Sequence, residues 1–220
     1  MSVERSPETT PGGGTGRRVP TQERSRRKVE HILDAAATLV VAQGVEALTT
    51  RAIAAKAKVP VASLYQYFAD KEDVLLALAE RDMAEMDAQV AADLSGLERP
   101  TVAQLVGTTM RAFVAVYHRR RAFVEIYLRG RSNAAVHQFG REHNRRIAQS
   151  LHDYALEAGL ARPELTPAMA VLAVEVGDRV FQLAFEHDSD GDPVLIEEGI
   201  AMVTAYLERY ATPLGLGEQG

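Results

Sequence analysis

Within Val61–Lys71, the residues Ser63, Tyr65, Gln66, Tyr67 and Lys71 supply hydroxyl, amide and ammonium groups in close succession. Val61, Leu64 and Phe68 stand at i, i+3 and i+7, so on a helix they share the side that faces a core. Ser63, Tyr65, Gln66 and Tyr67 are then left facing outward. Tyrosine hydroxyls beside a lysine suit contact with phosphates: the hydroxyls donate hydrogen bonds and the ammonium adds countercharge. The alternative is a small helical bundle in which the tyrosines merely pack.

The net charge of −5 hides an asymmetry. Residues 1–71 hold 11 Lys+Arg against 7 Asp+Glu, and the remainder holds 14 against 23. In the densest basic run, Arg17, Arg18, Arg24, Arg26, Arg27 and Lys28 face only Glu23. A basic end on an acidic body is what local phosphate contact needs. A solvated basic tail would have the same composition.

The elements that must position these groups are helical. Residues 1–20 are rich in Pro, Gly, Ser and Thr without a hydrophobic period, and are expected to form a disordered tail. The run Gly12–Gly16 lacks the Gly-Lys-Ser/Thr ending of a phosphate loop. From Thr21, a possible cap, Val29, Ile32, Leu33, Ala36, Leu39 and Val40 build one apolar stripe, and Gly44 suits a left-handed helix end. Thr49 or Thr50 caps a second helix, Thr50–Ala57. A third runs over Pro60–Tyr67, and Asp70 caps a fourth from Lys71 to about Ala92. Two short helices joined by a tight turn predict a helix-turn-helix, whose second helix enters the major groove.

These residues also carry a family resemblance. Ile32-Leu33-Asp34-Ala35-Ala36, Gly44, Leu48-Thr49-Thr50-Arg51-Ala52-Ile53-Ala54 and Ser63-Leu64-Tyr65-Gln66-Tyr67-Phe68-Ala69-Asp70-Lys71 closely resemble the tetracycline-repressor (TetR) family in order and spacing, over Val29 to Leu78. The resemblance implies that Thr50 and Arg51 touch DNA from the second helix, with Arg51 able to reach a guanine edge. It places Ser63 and Gln66 on the exposed side of the reading helix, and Tyr65, Tyr67 and Lys71 at phosphates. Lys71 also opens the fourth helix, whose amides favour an anion. The full DNA-contacting set is Thr49, Thr50, Arg51, Lys58, Val61, Ser63, Tyr65, Gln66, Tyr67 and Lys71. Three residues depart from the family pattern: Lys58 replaces the usual turn Gly, Pro60 the usual Ser or Thr cap, and Ala62 a frequent Gly. Lys58 adds charge near DNA and strains the turn if φ must be positive.

Breaks at Ser95-Gly96 with Pro100, Gly130–Asn133, Gly159–Pro163 and Asp188–Pro193 leave helical segments of 101–119, 121–129, 133–158, 166–187 and 193–210. The expected fold is all-α with about nine helices and no sheet. It divides into a helix-turn-helix head (21–70), a helical ligand-binding and dimerisation body (71–211) and a flexible tail (212–220). Segments 166–187 and 193–210 are apolar on more than one face, so one side can meet the body and the other a second subunit. The resemblance implies the same homodimer interface, with two reading helices one DNA turn apart on a near-palindromic operator. It also implies a ligand cavity in the middle helices, for which Phe113, Tyr117, Tyr127, His143, Asn144 and Glu175 are candidates around an unidentified small molecule. Glu175 and Arg179 are spaced as an i, i+4 ion pair, and Arg119, Arg120 and Arg121 suit a solvated helix junction.

Other chemistries find little support. The chain has no cysteine, which rules out disulfides and thiolate sites and fits a reducing cytoplasm. None of the six histidines follows a Glu by three residues, and no His-Glu-x-x-His occurs. The loop Asp188–Asp192 lacks the Gly and closing Glu positions of a calcium loop. No catalytic residue, metal or cofactor is expected. There is no membrane-length apolar run and no apolar stretch suiting a secretory signal. The expected function is a ligand-responsive DNA-binding regulator, most simply a repressor, acting in the cytoplasm at the nucleoid. The competing readings are an ungated architectural DNA binder and an all-helical enzyme with a DNA-binding head.

Overall fold

The computed structural model describes residues 18–130 and 133–218. Among the described residues ten α-helices follow one another: α1 (Arg18–Gln43), α2 (Thr50–Lys56), α3 (Val61–Leu64), α4 (Lys71–Ser95), α5 (Val102–Arg119), α6 (Arg121–Phe123), α7 (Ala134–Glu157), α8 (Pro167–Ala184), α9 (Pro193–Glu208) and α10 (Pro213–Leu216). Among the described residues there is no strand, only an isolated bridge between Ala161 and Ala211. The all-α expectation holds.

Side-chain caps start most of the helices. Thr49, Asp70, Thr101, Asn133, Thr166, Asp192 and Thr212 each accept a hydrogen bond from an amide in the first turn that has no helical partner. Gly44 closes α1 at φ +80°, as its position suggested. The start of α1 differs from expectation: the helix is already formed at Arg18, ahead of Thr21. Residues 1–17 of the expected tail lie outside the described residues. At the other end, the expected flexible tail instead contains α10, capped by Thr212 and closed by Gly217 at φ +81°.

The 121–129 segment is not one regular helix. α6 is a single turn that runs into a π-helical turn, Val124–Leu128, closed by the Arg129 amide on the Val124 carbonyl at 2.9 Å. Such turns are uncommon and occur often at functional sites.

The apolar stripe of α1 packs as its spacing requires: Ile32, Leu33, Ala36 and Val40 are buried, with α2 and α3 adding Ile53, Ala54 and Leu64. α4 buries Val74, Leu75, Leu78, Met83 and Met86, and the head and body share one continuous core. α5, α7, α8 and α9 form the body. α8 and α9 approach closely at Gly199, where an added Cβ would stand 2.3 Å from Val180 Cγ1. Their outer faces leave Leu172, Leu183, Val194, Leu195 and Met202 exposed. No helix among the described residues is long and apolar enough to cross a membrane.

Candidate nucleic-acid interface and body cavity

α2 and α3 are held as a pair by local bonds. The His31 ring bonds the Ala57 carbonyl at 2.9 Å, tying α1 to the end of α2. The chain then turns through Lys58 at φ +52°, the one non-glycine residue with positive φ among those described. Glycine adopts this conformation without steric cost, whereas a Cβ costs about 1 kcal/mol there. Lys58→Gly is therefore expected to raise stability by about 0.5–1 kcal/mol in urea unfolding while removing one cation from the exposed side of the turn. An unchanged midpoint would show that the turn carries no such strain.

α3 is shorter than expected. Its α-helical part ends at Leu64, and residues 65–67 coil on as a turn, with the Tyr67 amide on the Leu64 carbonyl at 2.9 Å. Pro60 starts it without a side-chain cap. Leu64 and Phe68 are buried as predicted, but Val61 is 37% exposed. Val61, at the first position of α3, stands on the outer surface instead. Arg51, Lys58, Tyr65 and Gln66 are exposed, and Ser63, Tyr67 and Lys71 are half-buried.

Two hydroxyl pairs organise this surface. Thr50 Oγ1 and Tyr65 Oη lie 3.1 Å apart, joining the start of α2 to the end of α3. Ser25 Oγ donates to Tyr67 Oη at 3.4 Å, which brings the basic stretch of α1 beside the turn that follows α3. Thr49 is occupied by its capping bond to the Ala52 amide at 3.1 Å. The start of α4 is not an open anion site. Asp70 caps the Asp73 amide at 2.9 Å, Asp73 accepts from the Ala69 amide at 2.9 Å, and the Lys71 ammonium lies 3.9 Å from Glu72.

Head and body are joined by an ion network that crosses α4. Arg81 reaches Asp34 at 2.8 Å and Glu30 at 3.3 Å on α1, and its Nε meets Asp82 at 3.2 Å. Asp82 is 1% exposed and also faces Arg120 at 3.6 Å. Burial pushes its carboxyl up, against the opposing pull of Arg81 and Arg120. Arg119 and Arg120 both bind Glu85, and Arg121 pairs with Asp190 in the α8–α9 loop. The three arginines thus clamp the α5–α6 junction to α4 and to that loop while staying partly in solvent, as the expected solvated junction implied. Arg179 donates to Gln182 at 3.0 Å in place of the expected pair with Glu175.

The body holds a cavity of about 110 Å³ between α5, α7, α8 and α9. Of the six candidates from the sequence, Phe113 and Asn144 line it. Tyr117, Tyr127 and His143 are packed in the core outside its wall, and Glu175 does not reach it. Tyr117 stacks on Phe123 at 5.8 Å, and His143 faces Asp87 at 3.3 Å with its pKa lowered by burial. Thr109, His152 and Asp178 line the cavity and escaped sequence reasoning. Thr109 and Asp178 left a signal: each is a polar residue within the apolar run of a core helix.

Among the described residues no group of three or more His, Cys, Asp or Glu could hold a metal. Residues 32–78 match the family described as bacterial regulatory proteins, tetR family, and residues 101–207 match the tetracyclin repressor-like C-terminal domain. The chain is 36% identical over 92 residues to the HTH-type transcriptional repressor KstR of Mycolicibacterium smegmatis, a match covering 41% of this chain and 44% of that repressor. It resembles the crystal structure of a TetR-family transcriptional regulator from Streptomyces coelicolor with TM-score 0.68 and 29% identity, covering 83% of this chain and 99% of the other. A TetR-family regulator from Haemophilus influenzae shares the fold at TM-score 0.61 and 16% identity, over 86% of this chain and 100% of its own. Helix-turn-helix head and four-helix cavity body thus coincide with matches at both ends of the chain, and the protein belongs to the TetR family of bacterial regulatory proteins.

Proposed function

We propose that this protein is a cytoplasmic transcriptional repressor that binds a near-palindromic DNA operator as a homodimer and releases it when a small molecule fills the body cavity. The observation that carries the reading is the head: exposed Arg51, Tyr65 and Gln66 stand on a helix-turn-helix whose two helices are locked by the Thr50–Tyr65 contact. Residues 21–70 act as the reading unit and residues 71–211 as the regulatory unit. Arg51 reads a base edge. Tyr65, Tyr67 and Lys71 hold phosphates, and Lys58 adds charge beside them. Thr49, Val61, Ser63 and Gln66 complete the surface.

Leu172, Leu183, Val194, Leu195 and Met202 form the apolar face through which α8 and α9 meet a second copy. Two reading helices then stand roughly 34 Å apart, matching one DNA turn. The cavity is linked to the head through packing: α6 and the π-helical turn rest on α1 and α4. A ligand that favours another arrangement of these elements shifts the population towards a spacing that cannot span both half-sites.

Selection of bound duplexes from a random pool tests the reading. A two-fold motif preferred by about 10³ or more over random DNA is expected, and equal retention of all sequences would point to an architectural protein. On the selected site, Arg51→Ala is expected to cost about 1–3 kcal/mol at one base pair and relax preference there. Lys71→Ala is expected to weaken all sequences alike and reduce the slope of log K against log salt by about one. Full discrimination at every base pair by Arg51→Ala would remove that residue's role.

A further inference from the structure

The cavity wall is sorted by polarity along its length. Phe113 on α5 meets Phe181 on α8 at 6.1 Å and Tyr117 meets Phe185 at 5.4 Å, so the two helices run in step, with Thr109 level with Asp178. Asn144 on α7 lines the same cavity. Towards the starts of α5 and α8 the wall is apolar, with Val102, Leu105, Leu165 and Ala170. Two polar atoms at the polar end belong to buried residues: Thr109 Oγ1 has no hydrogen-bond partner, and Asn144 Nδ2 turns one N–H towards the Tyr127 hydroxyl, which leaves its other N–H for a ligand. A buried hydroxyl on a helix ordinarily bonds the carbonyl four residues back, and Thr109 does not. Unmet buried groups are costly and call for an explanation.

The charge at this end is negative. Asp178 is pushed up to about 6, chiefly by burial and also by Glu175, while hydrogen bonds from Tyr127 and Gln182 pull the other way. No Lys or Arg lines the cavity. His152 does, but both of its ring nitrogens are engaged, by the Leu165 carbonyl and by Asp153, each at 2.9 Å. It therefore offers a ring face and no free donor.

We infer that the cavity takes a compact, uncharged, largely apolar alcohol or phenol, with its hydroxyl among Thr109, Asn144 and Asp178 and its hydrocarbon part towards Val102 and Leu165. A hydroxyl accepts from the Asn144 amide and donates to Thr109 or Asp178, meeting the groups left unmet. A carboxylic acid would set its anion against Asp178 without a cation, and an ammonium cannot accept from Asn144. At about 110 Å³ the cavity is smaller than the roughly 150 Å³ that holds benzene, so the ligand must be compact or the wall must give to admit a ring. This inference rests on the cavity being the regulatory site, and is tested without DNA so that the two can fail separately.

Benzyl alcohol, toluene, benzoate and benzylamine are titrated by calorimetry into the full-length protein and into Thr109→Val. That variant removes a hydroxyl with no partner and keeps its shape, so it is expected to fold. Benzyl alcohol is expected to bind, and the ratio of its affinity to that of toluene is expected to fall about tenfold in the variant, the effect of one lost hydrogen bond. Benzoate is expected to bind at least 100-fold more weakly than benzyl alcohol. The inference is overturned if benzoate or benzylamine binds as well as benzyl alcohol, if Thr109→Val leaves the ratio unchanged, or if no probe binds. DNA release by benzyl alcohol is measured separately on the selected operator. Binding with the stated preference but no release would uphold the ligand class and remove the regulatory reading.

Discussion

Asp82→Ala is expected to destabilise the protein by about 3 kcal/mol, the largest loss predicted for a single side chain. Asp82 is the centre of the network joining α1, α4 and the α5–α6 junction. The ionised carboxylate is itself a burden, since burial pushes its pKa up. Its removal is worse, because Arg81 and Arg120 lose the acceptor between them in a site that water hardly reaches. The loss stays near the low end of the range for broken buried pairs because Arg81 keeps Asp34 and Arg120 keeps Glu85. Asp82→Asn retains an acceptor and is expected to lose only about 1 kcal/mol. Urea unfolding of both variants checks the prediction; equal losses, or a loss below 1 kcal/mol for alanine, would falsify it. The network also connects the head to the body, so under the proposed mechanism Asp82→Ala is expected to lower the fraction of DNA that a saturating ligand releases.

Asp178→Asn is expected to act in the opposite direction, stabilising the protein by about 1–3 kcal/mol at pH 7. The folded-state value of about 6 lies above the unfolded value of 3.8. The folded protein therefore binds this proton more tightly. Its contribution favours folding most below the unfolded value and is lost as pH rises from about 4 through about 6. Two pKa units correspond to about 3 kcal/mol. Asparagine escapes that cost and keeps one acceptor oxygen for Tyr127 and Gln182 where the carboxylate has two, which offsets part of the gain. The advantage should shrink to nothing below about pH 4. His143 has the reverse sign: its pKa is lowered by burial, so its contribution is present above 6.5 and fades as pH falls. Comparing Asp178→Asn with the unaltered protein at each pH cancels that second titration. No gain in melting temperature at pH 7 would show that Asp178 is better accommodated than its surroundings imply. A carboxylate that weakens the fold and faces a cavity is more readily understood as serving a ligand than the fold.

The surplus of exposed apolar side chains on α8 and α9 bears on the same balance. Val194 is 67% exposed and Leu172 53%. A patch of this kind on an isolated subunit invites association, and pairing two copies would cover it. Stability of the assembled protein is then expected to depend on concentration, as it does wherever folding and association are linked.

What the sequence determined by itself was local. The stripe of α1, the caps at Thr49 and Asp70, the left-handed end at Gly44 and the strained turn at Lys58 all follow from residues within a few positions of one another. Short-range spacing and backbone sterics act there before any tertiary contact forms, and the family match of the head rests on the same residues. The tertiary structure decided the rest. Helical periodicity says which face of α5 or α8 is apolar but not which neighbour covers it, so Tyr117 and Tyr127 went to the core while Thr109 and Asp178 came to a cavity wall. That cavity is space left between four helices from distant parts of the chain, and no run of residues encodes it. Val61, at the start of a one-turn α3, stands outward although its spacing puts it with Leu64, and Arg119–Arg121 became a clamp because α4 and the α8–α9 loop bring carboxylates to them. Each depends on contacts between elements, whose geometry is set by packing and not by sequence spacing.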